Sequence, residues 1–373
     1  MKFFLSAGEA SGDLHGGALV EALRKVMPQS EFVFLGGDEM SRVAGHEPLI
    51  HYRQMAFMGF SEVIRHLPQV LGNLKTAKQA IDSNRPDALI LIDYPSFNLK
   101  LAKYAYERNI PVYYYISPKV WAWKEWRVKD IRRYCRKVLS ILPFEVEFFR
   151  GHNMEVEYVG NPSVEEVEQR KAALPQHGDF LKQHNLSADR PILALVPGSR
   201  MGEIRNNLPV MDVVAHRYPQ FQPVIAGAPG IDVSVYKEFS QYPVVDGATF
   251  ELVHNAECAL VTSGTATLET ALLGTPQVVC YRSSGSKLFY NIMKRVLSCH
   301  YVSLPNLIIG AEIVPEMLMH LCTPDLVSEK LENILPNTVG RREMLNNYAL
   351  MRSRLGHSNA ALTAAHSILS DLR

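Results

Sequence analysis

Residues 88–98 read ALILIDYPSFN, and this stretch decides the fold. Five aliphatic residues follow one another without the polar alternation of a strand that faces water on one side. Asp93 breaks the run, and from Pro95 and Asn98 a helical pattern carries on to Arg108. A short apolar strand emptying at once into a helix is the repeating unit of a parallel sheet covered on both faces. Working outward, Lys2–Ala7, Glu31–Leu35, Ala88–Asp93, Val112–Ile116 and Val138–Ile141 read as buried strands, with helical stretches such as Leu14–Val26 between them. The alternation pauses over 160–189, where Asn161-Pro162 precedes a charged stretch. It resumes with strands at Ile192–Val196, Pro223–Ala226, Val244–Val245, Cys258–Thr262 and Gln277–Cys280. From about Met317 the pattern is mostly helical, with a last long stretch at Arg341–Leu372. The expectation is an α/β protein of two doubly wound, Rossmann-like domains, residues 1–165 and 166–340, followed by a C-terminal helical segment, 341–373.

Composition narrows the function. The chain of 373 residues is 47% hydrophobic and 21% charged, an ordinary globular balance, and its net charge of +1 gives no general pull toward nucleic acid. The apolar run at the N-terminus ends after five residues, too short for the ~7–15 of a secretory leader, and reads as a first strand. No stretch reaches the ~20 apolar residues of a spanning helix. The five cysteines show no CxxC pair or metal-like spacing, and a cytoplasmic setting with reduced, buried thiols is expected.

Chemistry-bearing residues cluster where strands end. The first strand empties into GEASGD at 8–13, whose small residues let the backbone approach a ligand. It lacks the GxGxxG spacing of a dinucleotide loop, and its two acids disfavour a phosphate. Glu9, Ser11, Gly12 and Asp13, with Asn98, are therefore read as acceptor or sugar-binding residues, against a plain turn in which Ser11 or Asp13 caps the next helix. Asp93 has two readings, a helix cap and a general base held at the edge of a rigid sheet.

All three tryptophans lie in SPKVWAWKEWR at 117–127, and residues 119–137 carry eight Lys/Arg against two acids. Indoles beside basic residues suit an anionic membrane surface, with Trp121 and Trp123 facing lipid. Buried indoles beside a solvated basic helix would look the same. A helical pattern over 62–77 places Val63, Ile64, Leu67, Val70 and Leu71 on one face after a Met/Phe-rich run that includes Met58. That face either packs as core or grips acyl chains.

The second half differs in character. PGSRMGEI at 197–204 turns from strand to helix with Gly198, Ser199, Arg200 and Glu203, a turn suited to a diphosphate. TSGTATLE at 262–269 offers Ser263, Gly264 and Thr265 as a second anion nest, with Glu269 one turn on, where it could take ribose hydroxyls. The second domain is thus expected to hold a nucleotide and the first an acceptor.

Together with YVSLPNLI at 301–308, these motifs resemble the lipid-A-disaccharide synthase family, in matching order from the first strand to about residue 310. One departure is Gly160-Asn161-Pro162, where the family often has a His after the Gly. The resemblance implies a GT-B fold whose C-terminal helix crosses back to the first domain. It implies transfer of 2,3-diacylglucosamine from its UDP ester to 2,3-diacylglucosamine 1-phosphate (lipid X), giving the β-1,6 disaccharide 1-phosphate and UDP. It implies an inverting, metal-independent enzyme with no cofactor and with Asp93 as the base, and the chain indeed lacks a DxD acid pair. It also implies peripheral attachment to the cytoplasmic face of the inner membrane, a homodimer through exchanged C-terminal segments, and a nucleotide-facing Asn306. Other enzymes of the same plan, a UDP-N-acetylglucosamine 2-epimerase or a peptidoglycan glucosaminyltransferase, and a non-catalytic membrane-surface protein remain as alternatives.

Overall fold

The computed structural model describes residues 1–55, 66–282, 300–356 and 359–373. The chain divides into two compact units, Met1–Pro162 with His357–Arg373, and Ser163–Gly356.

In the first unit, strands β1 (Lys2–Ala7), β2 (Glu31–Gly36), β3 (Ile50–His51), β4 (Ala88–Ile92), β5 (Val112–Tyr115), β6 (Lys137–Ser140) and β7 (Glu157–Tyr158) form a parallel sheet in the order β3-β2-β1-β4-β5-β6-β7. Helices α1 (Ala10–Val26), α2 (Asp38–Ala44), α3 (Leu67–Asn84), α4 (Pro95–Tyr106), α5 (Val128–Tyr134) and α6 (Pro143–Gly151) connect them. Strand residues alternate between two apolar layers. Phe3, Leu5, Ile90, Ile92, Tyr113 and Tyr115 join one, and Phe4, Leu89, Leu91 and Tyr114 join the other. Burial on both faces explains why these strands read as unbroken apolar runs.

The second unit begins with α7 (Pro162–Lys171) and α8 (His177–Gln183). Its strands β8 (Ile192–Val196), β9 (Gln222–Gly227), β10 (Val244–Asp246), β11 (Ala256–Thr262), β12 (Gln277–Tyr281) and β13 (Glu316–Leu318) lie in the order β10-β9-β8-β11-β12-β13, all parallel. Helices α9 (Met201–His216), α10 (Val233–Lys237), α11 (Thr249–His254), α12 (Thr265–Leu273), α13 (Leu304–Ile309), α14 (Pro324–Glu332) and α15 (Val339–Leu355) complete it. Both orders reverse direction once, between β1 and β4 and between β8 and β11. Doubly wound sheets bind ligands beyond the carboxyl ends of the strands at such a reversal.

The tail differs from the single segment expected at 341–373. Gly356 at φ 68° ends α15, which stays with the second unit, and α16 (Ala360–Leu372) belongs to the first. There Ala364, Ala365, Ile368 and Leu369 pack with Leu19, Val20 and Leu23 of α1, and Asp371 pairs with Arg136 at 2.6 Å. The sequence reading missed β3, β7 and β13. Strands of two or three residues at a sheet edge are too short to show a period.

Candidate functional site

In the first unit, Asp93 follows the last residue of β4, at the reversal beside β1. Its backbone is bent into the left-handed region at φ 41°, followed by Tyr94 at 49°, and Ile116 across the strand ends stands at 61°. Non-glycine residues enter this region at a cost, and a β-branched one such as Ile116 is a clear outlier. Hydrogen bonds hold the bend. The Asp93 carbonyl accepts from the Asn98 side-chain amide and from the Tyr114 hydroxyl, each at 2.7 Å, and the Asp93 N–H donates to the Ile116 carbonyl at 3.1 Å. The residue capping α4 is Tyr94, and no side chain caps that helix, which sets aside the cap reading of Asp93. Burial raises the Asp93 carboxyl above its usual range and the Glu9 charge adds to this, while the Lys119 ammonium and the Tyr94 amide oppose them.

The neighbouring residues divide into those that present groups and those consumed internally. Glu9 is half-buried and Ser11 exposed. Gly8 lies against the Tyr94 ring so closely that a Cβ would stand 2.3 Å from it, and the Tyr94 hydroxyl donates to the Met55 carbonyl at 2.7 Å. Gly12 is buried, and its missing side chain lets α1 approach Ala7.

Two expectations need correction. The buried Asp13 carboxylate accepts from the amides of Gly37, Glu39 and Met40 at 2.6, 3.0 and 3.2 Å, so it caps α2 rather than meeting a sugar or capping its own helix. Asn98 is fully buried, accepts from the Ser6 hydroxyl at 2.7 Å and donates to the Ser6, Ile92 and Asp93 carbonyls. It pins the ends of β1 and β4 together and has no surface for a ligand.

The tryptophan loop is split. Trp121 is only 8% exposed, packs edge-on against Phe144 and donates its indole N–H to Glu145 at 2.9 Å, so its expected place on a lipid surface is corrected. Trp123 and Trp126 are exposed, with Lys124 stacked 4.0 Å from the Trp123 ring. On α3, Leu67 and Leu71 are 46% and 50% exposed, whereas Val70 packs against the core. Met58, Val63 and Ile64 lie outside the described residues. No described helix is long and apolar enough to cross a membrane.

In the second unit, the turns after β8 and β11 flank the corresponding reversal. Gly198 stands at φ 119°, where a Cβ would also collide with Glu203. The Glu203 carboxylate accepts the Ser199 amide at 3.0 Å, and the exposed Arg200 guanidinium lies 3.8 Å from it. Gly264, at φ 153°, caps α12 with no side-chain bond, and Thr265 is exposed beside it. Ser263 donates to the Val302 carbonyl at 3.4 Å. Burial pushes the Glu269 carboxyl up to about 7, with Glu166 adding to this and Arg170 opposing it.

Asn306 is another correction. It is fully buried, accepts the Ile313 and Val314 amides and donates to the Val314 carbonyl and to Glu316, so it shapes its own loop rather than facing a nucleotide.

Sequence reasoning missed two organising residues. Buried Asn207 on α9 donates to Pro197 O at 3.3 Å and Thr262 Oγ1 at 3.0 Å and accepts from the Arg282 amide at 2.7 Å, joining the ends of β8, β11 and β12. An amide on the same helical face as apolar Ile204, Leu208 and Met211 was the available signal. Glu145 is the other. In the first turn of α6 it looks like an ordinary dipole-favoured acid, yet it is buried and receives Trp121 and Ser140.

Comparisons with known proteins bear on the fold and the family. Among solved structures of similar fold are a UDP-GlcNAc 2-epimerase from Neisseria meningitidis (TM-score 0.69, 12% identity, 99% of this chain and all of that one) and the glycosyltransferase of kitacinnamycin (TM-score 0.65, 13% identity, 100% and 99%). At these identities they establish the two-unit GT-B architecture. Sequence relatives reach further. The lipid-A-disaccharide synthase of Myxococcus xanthus is 40% identical over 99% of this chain and 97% of its own length. That of Koribacter versatilis is 34% identical over 99% and 98%. The model of the family described as lipid-A-disaccharide synthetase matches residues 3–367. The chain, an enzyme of the glycosyltransferase class, belongs to the lipid-A-disaccharide synthetase family.

Proposed function

We propose that the chain transfers 2,3-diacylglucosamine from its UDP ester to the 6-hydroxyl of 2,3-diacylglucosamine 1-phosphate, releasing UDP. The observation that carries this reading is Asp93, a carboxyl on a backbone held bent by three hydrogen bonds at the sheet reversal. In the proposed reaction Asp93 takes the hydroxyl proton as the acceptor oxygen bonds to the anomeric carbon. The bond from that carbon to the diphosphate oxygen breaks with its electron pair, UDP leaves, and configuration inverts through an oxocarbenium-like transition state. A carboxyl whose proton affinity burial raises above the usual range is a stronger proton acceptor, which suits the step.

The second unit would hold the nucleotide. Its support is the exposed Arg200 guanidinium and the amides that open α12 at the other reversal. No metal enters the proposed step. Attachment to the cytoplasmic face of the inner membrane is part of the proposal, supported by exposed Trp123, Trp126, Leu67 and Leu71 beside basic residues. The test is mass spectrometry of reactions holding both diacylated sugars. Disaccharide and UDP formed only when both are present support the proposal. Epimerised UDP-sugar without acceptor, or no turnover at all, would replace it with one of the alternatives.

A further inference from the structure

The transfer as described leaves one buried cation unused. Arg127 closes a single helical turn (Glu125–Arg127), where its amide donates to the Lys124 carbonyl at 2.9 Å, and it is only 7% exposed. No carboxylate among the described residues pairs with its guanidinium. Asp130 favours the charge without an ion pair, while burial lowers the proton affinity, as desolvation does to any cation. An arginine stays charged even so. Arginine is seldom buried without a counter-charge, because taking an unpaired charge out of water is costly.

The hydrogen bond that this guanidinium makes leads to the Asp93 bend. Its Nη2 donates to Ser96 Oγ at 2.9 Å, and the Trp126 ring lies 5.6 Å from its centre. Its other nitrogens have no acceptor among the described residues. Ser96 is exposed in the first turn of α4. Pro95 before it has no N–H, so the Ser96 amide is the first that α4 can present, and it too has no acceptor among the described residues. Because the Ser96 oxygen accepts from Arg127, the hydroxyl proton is left to donate elsewhere. A guanidinium, a hydroxyl and an amide therefore meet where the helix dipole also favours an anion. Ser96 stands three residues after Asp93, a stretch of chain that spans at most about 11 Å.

The acceptor of the proposed transfer has one charged group. Its two acyl groups are held in a neutral amide and a neutral ester, which leaves the phosphate. That phosphate and the arm carrying the 6-hydroxyl sit on the two carbons that flank the ring oxygen.

We propose that Arg127, with the Ser96 amide and hydroxyl, binds the 1-phosphate of the acceptor sugar and makes the enzyme select a phosphorylated acceptor. This rests on the reading of the reaction given above. Holding the phosphate at the start of α4 turns the neighbouring 6-hydroxyl toward Asp93 at the end of β4.

The measurement is kcat/KM of the full-length enzyme for 2,3-diacylglucosamine with and without its 1-phosphate, in neutral detergent micelles with the UDP ester as donor. The parent should favour the phosphorylated acceptor by roughly tenfold to a hundredfold. Arg127→Met should lose most of that preference, with the loss falling on the phosphorylated acceptor. Ser96→Ala, which keeps the amide, should lose a part of it. Equal losses on both acceptors in Arg127→Met would show that the residue merely supports its loop, and overturn the proposal. A parent that uses both acceptors alike overturns it as well. So does a preference seen only on anionic vesicles, where a lipid headgroup supplies the phosphate. If Arg127→Met does not fold, Arg127→Lys keeps the charge without the planar fork and serves the same comparison. A partial loss confined to the phosphorylated acceptor is then expected, and a loss shared by both overturns the proposal. No disaccharide from either acceptor in the parent would instead sink the functional reading beneath it, so the two failures are distinguishable.

Discussion

The Asn98 side-chain amide donates to the main-chain carbonyl of Asp93 at 2.7 Å, so a residue with no exposed surface sets where the candidate base stands. The same nitrogen reaches the carbonyls of Ser6 and Ile92, each at 3.2 Å, binding β1 to β4 where the sheet reverses. Asn207 does the equivalent work in the second unit, joining the ends of β8, β11 and β12. In each unit a buried amide replaces strand pairing just past the strand ends, where the sheet hydrogen bonds stop and unpaired carbonyls would otherwise be left.

Asp93→Asn keeps the size and the main-chain bonds of the site and removes the proton acceptor. Turnover with both diacylated sugars should fall by ~10²–10⁴-fold. UDP affinity should be unchanged, because the proposed nucleotide residues lie in the other unit. Near-parental turnover would remove Asp93 from the chemistry.

Gly8→Ala should damage the reaction more than the fold. The new Cβ would overlap the Tyr94 ring, whose residue directly follows Asp93 in the bent backbone. Overpacking of this kind costs about 1–3 kcal/mol. The expected result is a modest loss in urea stability with at least roughly tenfold lower kcat. Parental kcat would show that Tyr94 can move without disturbing Asp93.

Arg200→Ala and Glu269→Ala should each weaken UDP binding in calorimetry. A charge-assisted hydrogen bond contributes ~1.5–3 kcal/mol, or roughly tenfold to a hundredfold in affinity. Arg200 has the simpler case, since its guanidinium is exposed. Unaltered affinity in both variants would move the nucleotide away from these turns.

Glu145→Gln should change how stability depends on pH. Burial pushes the native carboxyl up to about 7 from an ordinary 4.5. Between those values the folded state keeps a proton that the unfolded chain has released, so the parent loses stability as pH rises through that window. The variant lacks this term. Its stability relative to the parent should improve by up to about 3 kcal/mol between pH 4.5 and pH 8 in urea titrations. An equal difference at both ends would mean that Glu145 titrates normally.

Leu67→Ser with Leu71→Ser should leave the fold intact, because both side chains are about half exposed. If α3 meets lipid, the variant should sediment less with anionic vesicles and need less detergent in purification. Trp123→Ala with Trp126→Ala should separately weaken the salt-sensitive part of that binding. Undiminished sedimentation in both pairs would exclude these surfaces as the anchor.

Sequence alone determined the fold class and which turns stand at the ends of the central strands. The central strands are buried on both faces, so the runs at 2–7, 88–92, 192–196 and 258–262 are legible without tertiary information, and parallel topology puts Asp93, Gly198 and Gly264 at their carboxyl ends. Tertiary structure decided which polar residues remain available to a ligand. Asp13, Asn98 and Asn306 have side chains suited to binding, and each is used up by backbone groups that sequence neighbours do not reveal. Trp121 and Trp123 stand two residues apart in one basic segment, yet one is buried on Glu145 and the other is exposed. The physical reason is range. Apolar periodicity is a local property of the chain, whereas the satisfaction of a buried donor or acceptor depends on groups brought together from distant positions, as Ser6 and Asn98 are.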